Sequence, residues 1–147
     1  MRVNTGRFYA IQSRSGHAYL DGRNPEMSEP LLTDRALDDS VFDPNYLNWK
    51  LISVGEGYYA IRSRSSRGYL DGRNPEMIEP LITYRDPTND HYLHWKLIFV
   101  GEGYYAIQSR SSGGYLDGRN PGMTELLITY RDPTNDHYLH WKFIPIN

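Results

Sequence analysis

The chain has 147 residues, a formal net charge of −2 and no cysteine. A single domain is the natural expectation at this length, and the lack of cysteine excludes disulfides, thiolate metal ligands and a cysteine nucleophile. The sequence shows no basic footprint for nucleic acid and no apolar run near the roughly 20 residues of a membrane span. Because no apolar signal segment opens the chain, we expect a cytoplasmic protein, with release by an unconventional route left open.

One unit occurs three times along the chain, and this repeat determines the expected fold class. The copies open with GRFYAIQSRSG, GYYAIRSRSSR and GYYAIQSRSSG, and each closes on a Trp-Lys pair, at Trp49, Trp95 and Trp141. We place the copies at about residues 6–56, 57–102 and 103–147 of one domain that spans residues 1–147. Copy one carries four extra residues before its Trp-Lys pair.

Within copy two, the sequence pattern predicts four short strands. YYAIRSR alternates in the manner of a first strand, and GYLDG is a second that ends in an Asp-Gly turn signal. RNPEMIE is loop, since Asn-Pro disfavours a helix and breaks ladder pairing. PLITYR is the third strand, DPTNDHY is loop, and LHWKLIFV is the fourth, with Leu93, Trp95 and Leu97 on one face. No helical period of useful length occurs.

Three copies of four strands resemble the β-trefoil, an all-β fold with pseudo-threefold symmetry. In that fold six strands close a barrel, and three hairpins cap it. The resemblance implies that the three Trp residues meet in the core around the threefold axis. His94 and His140 alternate away from the Trp face, so we expect them to contact solvent or line a pocket.

Two polar segments are retained between copies and supply the candidate site. LDGRNP recurs in all three copies, and YRDPTNDHYLHWK is identical at residues 84–96 and 130–142 although its neighbours change, as in Ile78 to Thr124. The candidate carbohydrate-binding residues are Asp71, Gly72, Arg73, Asn74, Tyr84, Asp86, Asn89 and His91 in copy two; Asp117, Gly118, Arg119, Asn120, Tyr130, Asp132, Asn135 and His137 in copy three; and Asp21, Gly22, Arg23 and Asn24 in copy one.

This mixture of side chains suits a sugar. An ionised aspartate is an acceptor with two oxygens for neighbouring hydroxyls, while Asn, Arg and backbone amides supply donors. The C–H face of galactose rests well on an aromatic ring. A site built to bond one hydroxyl rejects the epimer that lacks it, because its own polar groups would stay unpaired.

The chain resembles β-trefoil lectins, both the ricin-B-like type and the galactose-binding trefoil lectins of mussels and mushrooms. The central Asp of the mussel-type motif His-x-Asp-x-His falls on Asp86 and Asp132, and its histidine positions hold Tyr and Thr, so that His91 and His137 stand in. The ricin-B-like Gln-x-Trp reads Leu93-x-Trp95.

The resemblance implies a non-catalytic, multivalent lectin for galactose or N-acetylgalactosamine on glycoproteins or glycolipids. It would have one site per repeat and neither cofactor nor metal. Copy one has Asp34 for Tyr84 and Asn45 for His91, so we expect its site to be altered.

Other interpretations stay open at this point. A trefoil protease inhibitor would use dissimilar loops, and a protein-binding module like those of actin-bundling proteins would not need a retained polar pocket. A glycosidase could draw two carboxylates from Asp71, Asp86 and Asp90, and a zinc site could use His91 and His94, although structural zinc usually has four ligands. The sequence leaves open whether the chain forms a homodimer.

Overall fold

A computed structural model describes residues 5–22, 32–33, 44–72, 82–118 and 128–146. Six of the candidate site residues lie outside the described residues: Arg23, Asn24, Arg73, Asn74, Arg119 and Asn120.

Twelve antiparallel strands form one sheet. In chain order they are β1 (Phe8–Ser13), β2 (Tyr19–Leu20), β3 (Leu32–Thr33), β4 (Trp49–Gly55), β5 (Tyr58–Ser63), β6 (Tyr69–Leu70), β7 (Ile82–Thr83), β8 (Trp95–Gly101), β9 (Tyr104–Ser109), β10 (Tyr115–Leu116), β11 (Ile128–Thr129) and β12 (Trp141–Ile146).

Six of these strands close into a ring. β1 pairs with β4, β4 with β5, β5 with β8, β8 with β9, β9 with β12, and β12 returns to β1. The remaining strands form three two-stranded pairs, β2–β3, β6–β7 and β10–β11, and each pair is joined to the ring through β1, β5 or β9. A closed six-stranded barrel with three equivalent hairpins is a β-trefoil, so the predicted all-β fold class is confirmed.

Trp49, Trp95 and Trp141 are fully buried in the core, as predicted. Each indole Nε1 donates a 3.0 Å hydrogen bond to a leucine carbonyl oxygen at the end of the same copy's second strand, that of Leu20, Leu70 or Leu116. A buried indole N–H needs such an acceptor. The bond therefore fixes the start of each LDGRNP segment against the core.

Next to each of these bonds, a glycine lets the chain approach the indole ring. A Cβ built on Gly72 would lie 2.9 Å from both Trp95 Cη2 and Ser109 Oγ, and Gly22 and Gly118 meet equally close contacts. Any larger residue would force the core apart. The retained glycine of LDGRNP is therefore explained by packing.

The fourth strand begins later than the sequence predicted. Leu93 lies in a short 3-10 helix (His91–Leu93), and the strand starts at Trp95. The Asp90 side chain caps this helix by accepting a hydrogen bond from the Tyr92 backbone N–H. Equivalent helices occupy His137–Leu139 and Pro44–Leu47. No helix among the described residues is long and apolar enough to cross a membrane.

The prediction that His94 and His140 contact solvent or line the pocket is wrong, because both are buried. Arg110 Nη1 lies 3.2 Å from His94 Nδ1, and an arginine nitrogen is a donor only. His94 therefore accepts at Nδ1 and donates from Nε2 to the carbonyl oxygen of Pro87, at 2.6 Å. With both nitrogens engaged, His94 has no lone pair left for the zinc ion considered above.

Arg110 also joins copy three to copy two. Its guanidinium lies 4.3 Å over the ring of Tyr58, and Nη2 donates to Glu56 at 2.7 Å. Arg14 repeats the arrangement between copies one and three, over Tyr104 and against Glu102 and His140. We call each set of arginine, aromatic ring, glutamate and histidine an arginine clamp.

We expect Gly72→Ala to destabilise the protein by about 1–3 kcal/mol, because the added methyl group overpacks the core. Urea denaturation followed by tryptophan fluorescence would measure the change. Lys96→Ala, on the exposed face next to Trp95, is the control and should change the free energy of unfolding by less than about 0.5 kcal/mol. Equal stability of the glycine variant and the parent would contradict the packing explanation.

Candidate functional site

The guanidinium of Arg85 links two carboxylates that are distant in sequence. Nη2 donates to Asp71 Oδ2 at 2.9 Å and Nε donates to Asp90 Oδ2 at 2.8 Å. Nη1 donates to Thr83 Oγ1 at 3.3 Å. Copy three repeats all three contacts through Arg131, Asp117, Asp136 and Thr129.

The charge on this guanidinium is secured by its partners. Burial lowers the pKa of Arg85, but the hydrogen bonds that Arg85 donates to Asp90 and Asp71 outweigh burial and raise the pKa above its ordinary value. The pKa of Arg131 is raised chiefly by its hydrogen bond to Asp136. The arginine therefore stays a cation, and bonds of this charge-assisted kind are among the stronger ones in proteins.

Asp71 does not present its carboxylate to a ligand as expected, because its side chain is 1% exposed and paired with Arg85. Asp117 and Asp21 are likewise buried. Gly72 donates its backbone N–H to the carbonyl oxygen of Tyr92, so that this amide is also occupied. The described part of the LDGRNP segment thus supports the loop from below and forms none of its outer surface.

Asp86 is exposed and forms a tight turn with the residue two positions later. Its Oδ1 accepts hydrogen bonds from the backbone N–H of Thr88 at 2.9 Å and from the Thr88 hydroxyl at 2.8 Å. These bonds, the backbone one first, lower the pKa of Asp86 below the ordinary value of 3.8. Its second oxygen, Oδ2, has no hydrogen-bond partner within the described residues. Asp132 and Thr134 repeat this turn.

An open depression lies on the surface of this loop in copies two and three. In copy two its volume is about 540 Å³, and in copy three it is about 590 Å³. Six equivalent residues line each depression: Asp86, Thr88, Asn89, Asp90, His91 and Tyr92 in copy two, and Asp132, Thr134, Asn135, Asp136, His137 and Tyr138 in copy three. We call these two depressions the loop pockets.

Of the predicted site residues, three per copy meet in a loop pocket: Asp86, Asn89 and His91, and their equivalents Asp132, Asn135 and His137. Tyr84 and Tyr130 are more than half exposed but are not among the lining residues. The side chains of Asn89 and Asn135 have no hydrogen bond to any described residue. His91 lies with its ring 5.2 Å from that of His94, which holds it at the pocket wall.

Thr88 and Tyr92 and their copy-three equivalents also line the pockets, although the sequence did not identify them as site residues, and it indicated Asp90 only as a candidate carboxylate. The spacing Asp-x-Thr was the available signal for the first, because a threonine two residues after an aspartate favours a side-chain turn. Tyr92 lies in the 3-10 helix that Asp90 caps. The sequence pattern places Leu93 in a strand, and this helix was therefore not predicted.

The identical thirteen-residue segment contains residues of two kinds. Arg85, Thr88 and Asp90 bond within the loop, while Pro87, Leu93, His94 and Trp95 hold the loop to the core. The fold uses neither the amide of Asn89 nor the outward face of His91 in this way. Asn89 and His91 are therefore two pocket positions whose identity the fold alone does not explain.

In copy one only the base of the corresponding site is described. Gly22 donates its backbone N–H to the carbonyl oxygen of Tyr46 at 2.8 Å, as Gly72 does to Tyr92. Residues 34–43, which would form its outer loop, lie outside the described residues. Asn45 stands in its 3-10 helix where His91 stands in copy two.

Polar loop pockets thus recur in two copies of this β-trefoil. A family model described as "Ricin-type beta-trefoil lectin domain-like" matches residues 45–124, more than half of the chain. The chain belongs to this family, and membership supports carbohydrate binding in general. A comparison with curated protein sequences finds no match.

Solved structures share the fold at low sequence identity. A lectin of Polyporus squamosus, bound to an epitope containing Neu5Acα2-6Galβ1-4GlcNAc, is 20% identical, with TM-score 0.71 over 97% of this chain and 50% of that one. SeviL bound to asialo-GM1 saccharide is 18% identical, with TM-score 0.70 over 94% and 96%. An exo-β-1,3-galactanase of Clostridium thermocellum is 25% identical, with TM-score 0.70 over 99% of this chain and 31% of that one.

We expect Arg85→Ala to destabilise the protein by about 2–3 kcal/mol. Removing one partner of a buried pair leaves an uncompensated charge, here Asp71, and the partial exposure of Arg85 reduces the full effect. In a double-mutant cycle with Asp71→Ala, the two effects should be strongly non-additive. Additive effects in urea denaturation would show that the pair does not act as a unit.

Proposed function

We propose that this protein is a non-catalytic lectin that binds galactose or N-acetylgalactosamine at the loop pockets of copies two and three. The observation that carries the proposal is the repeated pocket itself, which six equivalent residues line in each of the two copies. Its glycan partners would be those of glycoproteins or glycolipids.

Each group in the pocket has a chemical use for a sugar. Thr88 donates two hydrogen bonds to Oδ1 of Asp86, which leaves Oδ2 to accept a hydrogen bond from a sugar hydroxyl. The amide of Asn89 offers both a donor and an acceptor, and the ring of His91 adds a further polar atom. The rings of Tyr92 and His91 offer surface for the C–H face of a pyranose.

Two considerations favour galactose-type sugars over others. The similar solved proteins with named carbohydrates include a lectin bound to a Gal-containing epitope and an enzyme named for galactan. The resemblance of Asp86 and Asp132 to the central aspartate of galactose-binding trefoil lectins points to the same class.

With two sites on one rigid barrel, the protein would bind a glycan-rich surface with avidity. A single open pocket binds weakly, but a second binding event on the same surface becomes intramolecular and strengthens the whole interaction. Both loops are held by the same core bonds and guanidinium bridges, so that the two sites are fixed relative to each other. The altered loop of copy one would contribute less.

The carboxylates of the pocket argue against glycosidase chemistry. A glycosidase needs one carboxyl group with a raised pKa to act as the acid. The pKa of Asp86 is lowered. Both oxygens of Asp90 accept hydrogen bonds, one from Arg85 and the other from the Tyr92 backbone N–H. This pocket would therefore bind a sugar without cleaving it.

Calorimetric titration with galactose, N-acetylgalactosamine, mannose and glucose tests the proposal. We expect binding of the galactose-type sugars at about two sites per chain, and Asn89→Ala with Asn135→Ala should weaken it at least roughly tenfold, about 1.4 kcal/mol. Asn89→Ala alone should halve the number of sites. Its direct effect on stability should be small, because Asn89 bonds to no described residue.

Lys96→Ala with Lys142→Ala provides the matched control, since both lysines belong to the identical segment and are exposed but do not line the pockets. The control should bind like the parent. No heat with any sugar from folded protein, or an equal loss in the control, would contradict the proposal.

The lowered pKa of Asp86 and Asp132 predicts that each carboxylate is still more than half ionised at pH 3.8, the ordinary pKa of aspartate. A group with a lowered folded pKa stabilises the protein above the ordinary value, and this contribution disappears as the pH falls through the lowered one. Thr88→Ala should move the pKa of Asp86 back toward 3.8 and leave that of Asp132 unchanged. Carboxyl-carbon NMR titration measures both, and an Asp86 that titrates at or above 3.8 in the parent would contradict the turn geometry.

A further inference from the structure

The junction between copies one and two lacks the arginine clamp of the other two junctions. Arg64 stands where Arg14 and Arg110 stand, and its guanidinium lies 4.3 Å over the ring of Phe8. However, the sequence has Gly6 in place of the clamp glutamate and Asn48 in place of the histidine.

The missing carboxylate leaves the Arg64 side chain without an ion pair or side-chain hydrogen bond to any described residue. Arg14 and Arg110 are 18% and 19% exposed in their side chains, whereas Arg64 is an exposed residue. The guanidinium keeps its place on the aromatic ring but has no counterion within the described structure.

The same junction carries two cations that the other copies lack. Arg62 is equivalent to Gln12 in copy one and Gln108 in copy three. Arg67 is equivalent to His17 and Gly113 in the same two copies. Arg62 Nε donates to the carbonyl oxygen of Arg67 at 3.1 Å, which holds the two residues together.

These cations converge on one hollow. It has a volume of about 220 Å³ and is lined by Phe8, Lys50, Arg62, Ser63, Arg64 and Arg67. Lys50 Nζ lies 5.5 Å from the centre of the Phe8 ring. Four cationic side chains thus line this hollow, and none of its lining residues is acidic, although the chain as a whole carries a net charge of −2.

Arg67 occupies a backbone position that does not require an arginine. Its φ is +67°, in the left-handed region, and the equivalent residues are His17 at +62° in copy one and Gly113 at +79° in copy three. The left-handed conformation is unfavourable for a residue with a Cβ. The fold tolerates such a residue here in two copies, but it does not explain why copy two adds a further cation.

We infer that this hollow binds a sulfate- or phosphate-type oxyanion, either as the free ion or as an ester group on a glycan. Guanidinium groups bond such anions with two parallel N–H donors, and Arg is suited to this geometry. A bound dianion would offset the mutual repulsion of the four cations. The hollow shares no residue with the loop pockets, so its anion binding does not depend on the proposed galactose binding.

Calorimetric titration with sodium sulfate, at an ionic strength held constant with sodium chloride, tests the inference. The parent should bind sulfate saturably at one site. Arg62→Gln with Arg67→Gly installs the residues of copy three and should weaken binding at least roughly tenfold. Lys96→Gln with Lys142→Gln removes the same number of charges at the other two junctions and should leave the affinity within about twofold of the parent.

Galactose 6-sulfate, titrated into the Asn89→Ala, Asn135→Ala variant, separates the two sources of the anion. Tighter binding than inorganic sulfate supports an ester on a glycan, and equal affinity supports the free ion. Unsaturable binding to the parent, or an equal loss in the lysine control, would overturn the inference. If the arginine double variant does not fold, the side-chain NMR signals of Arg62 and Arg64 in the parent must shift with sulfate, and unmoved signals would overturn it as well.

Discussion

The guanidinium bridges of Arg85 and Arg131 are the interaction on which the loop pockets depend. Each bridge joins a buried aspartate at the end of a copy's second strand to the aspartate that caps the 3-10 helix. The core is fixed just below, because the Trp95 and Trp141 indoles bond to the residue before that buried aspartate. The loop is thereby tied to the barrel, and Asp86 and Asn89 are exposed on its surface.

This arrangement divides the retained polar residues between support and surface. Asp71 and Arg85 bond to each other, and His94 bonds to Arg110 and to the carbonyl oxygen of Pro87. An unpaired polar group at these positions would cost stability. Asn89 and His91 lie outside that network. The identical segment therefore contains residues that the fold requires and residues that it does not, and their contacts distinguish the two groups. Comparison of the copies also shows that the junction at Arg64 lacks an arginine clamp. Gly6 replaces the clamp glutamate there, and Arg62 and Arg67 add two further cations.

The fold was predictable because few folds consist of three copies of four alternating strands. The Trp in each fourth strand also indicated which face of that strand lies in the core. Which candidate residues share a pocket was predictable only in part. Polarity in a repeated loop indicates Asp86, Asn89 and His91, and these three line the loop pocket of copy two. The burial of Asp71 was not predictable, because its partner Arg85 is fourteen positions away. His94 was misplaced because the Asp90 cap ends the strand alternation before Trp95. Its contact with Arg110 crosses between copies, and no local pattern reports such a contact.

If the loop pockets are sugar sites held in place by the guanidinium bridges, both pockets should bind the same sugar while the core beneath them stays unchanged. Titration of isotope-labelled protein with galactose can be followed through the side-chain amide signals of Asn89 and Asn135 and the ring signals of His91 and His137. We expect both sets of signals to shift together with one dissociation constant, while the indole signals of the three tryptophans stay in place. Shifts confined to other residues, or no shift at saturating galactose, would show that the loop pockets are not the sugar sites.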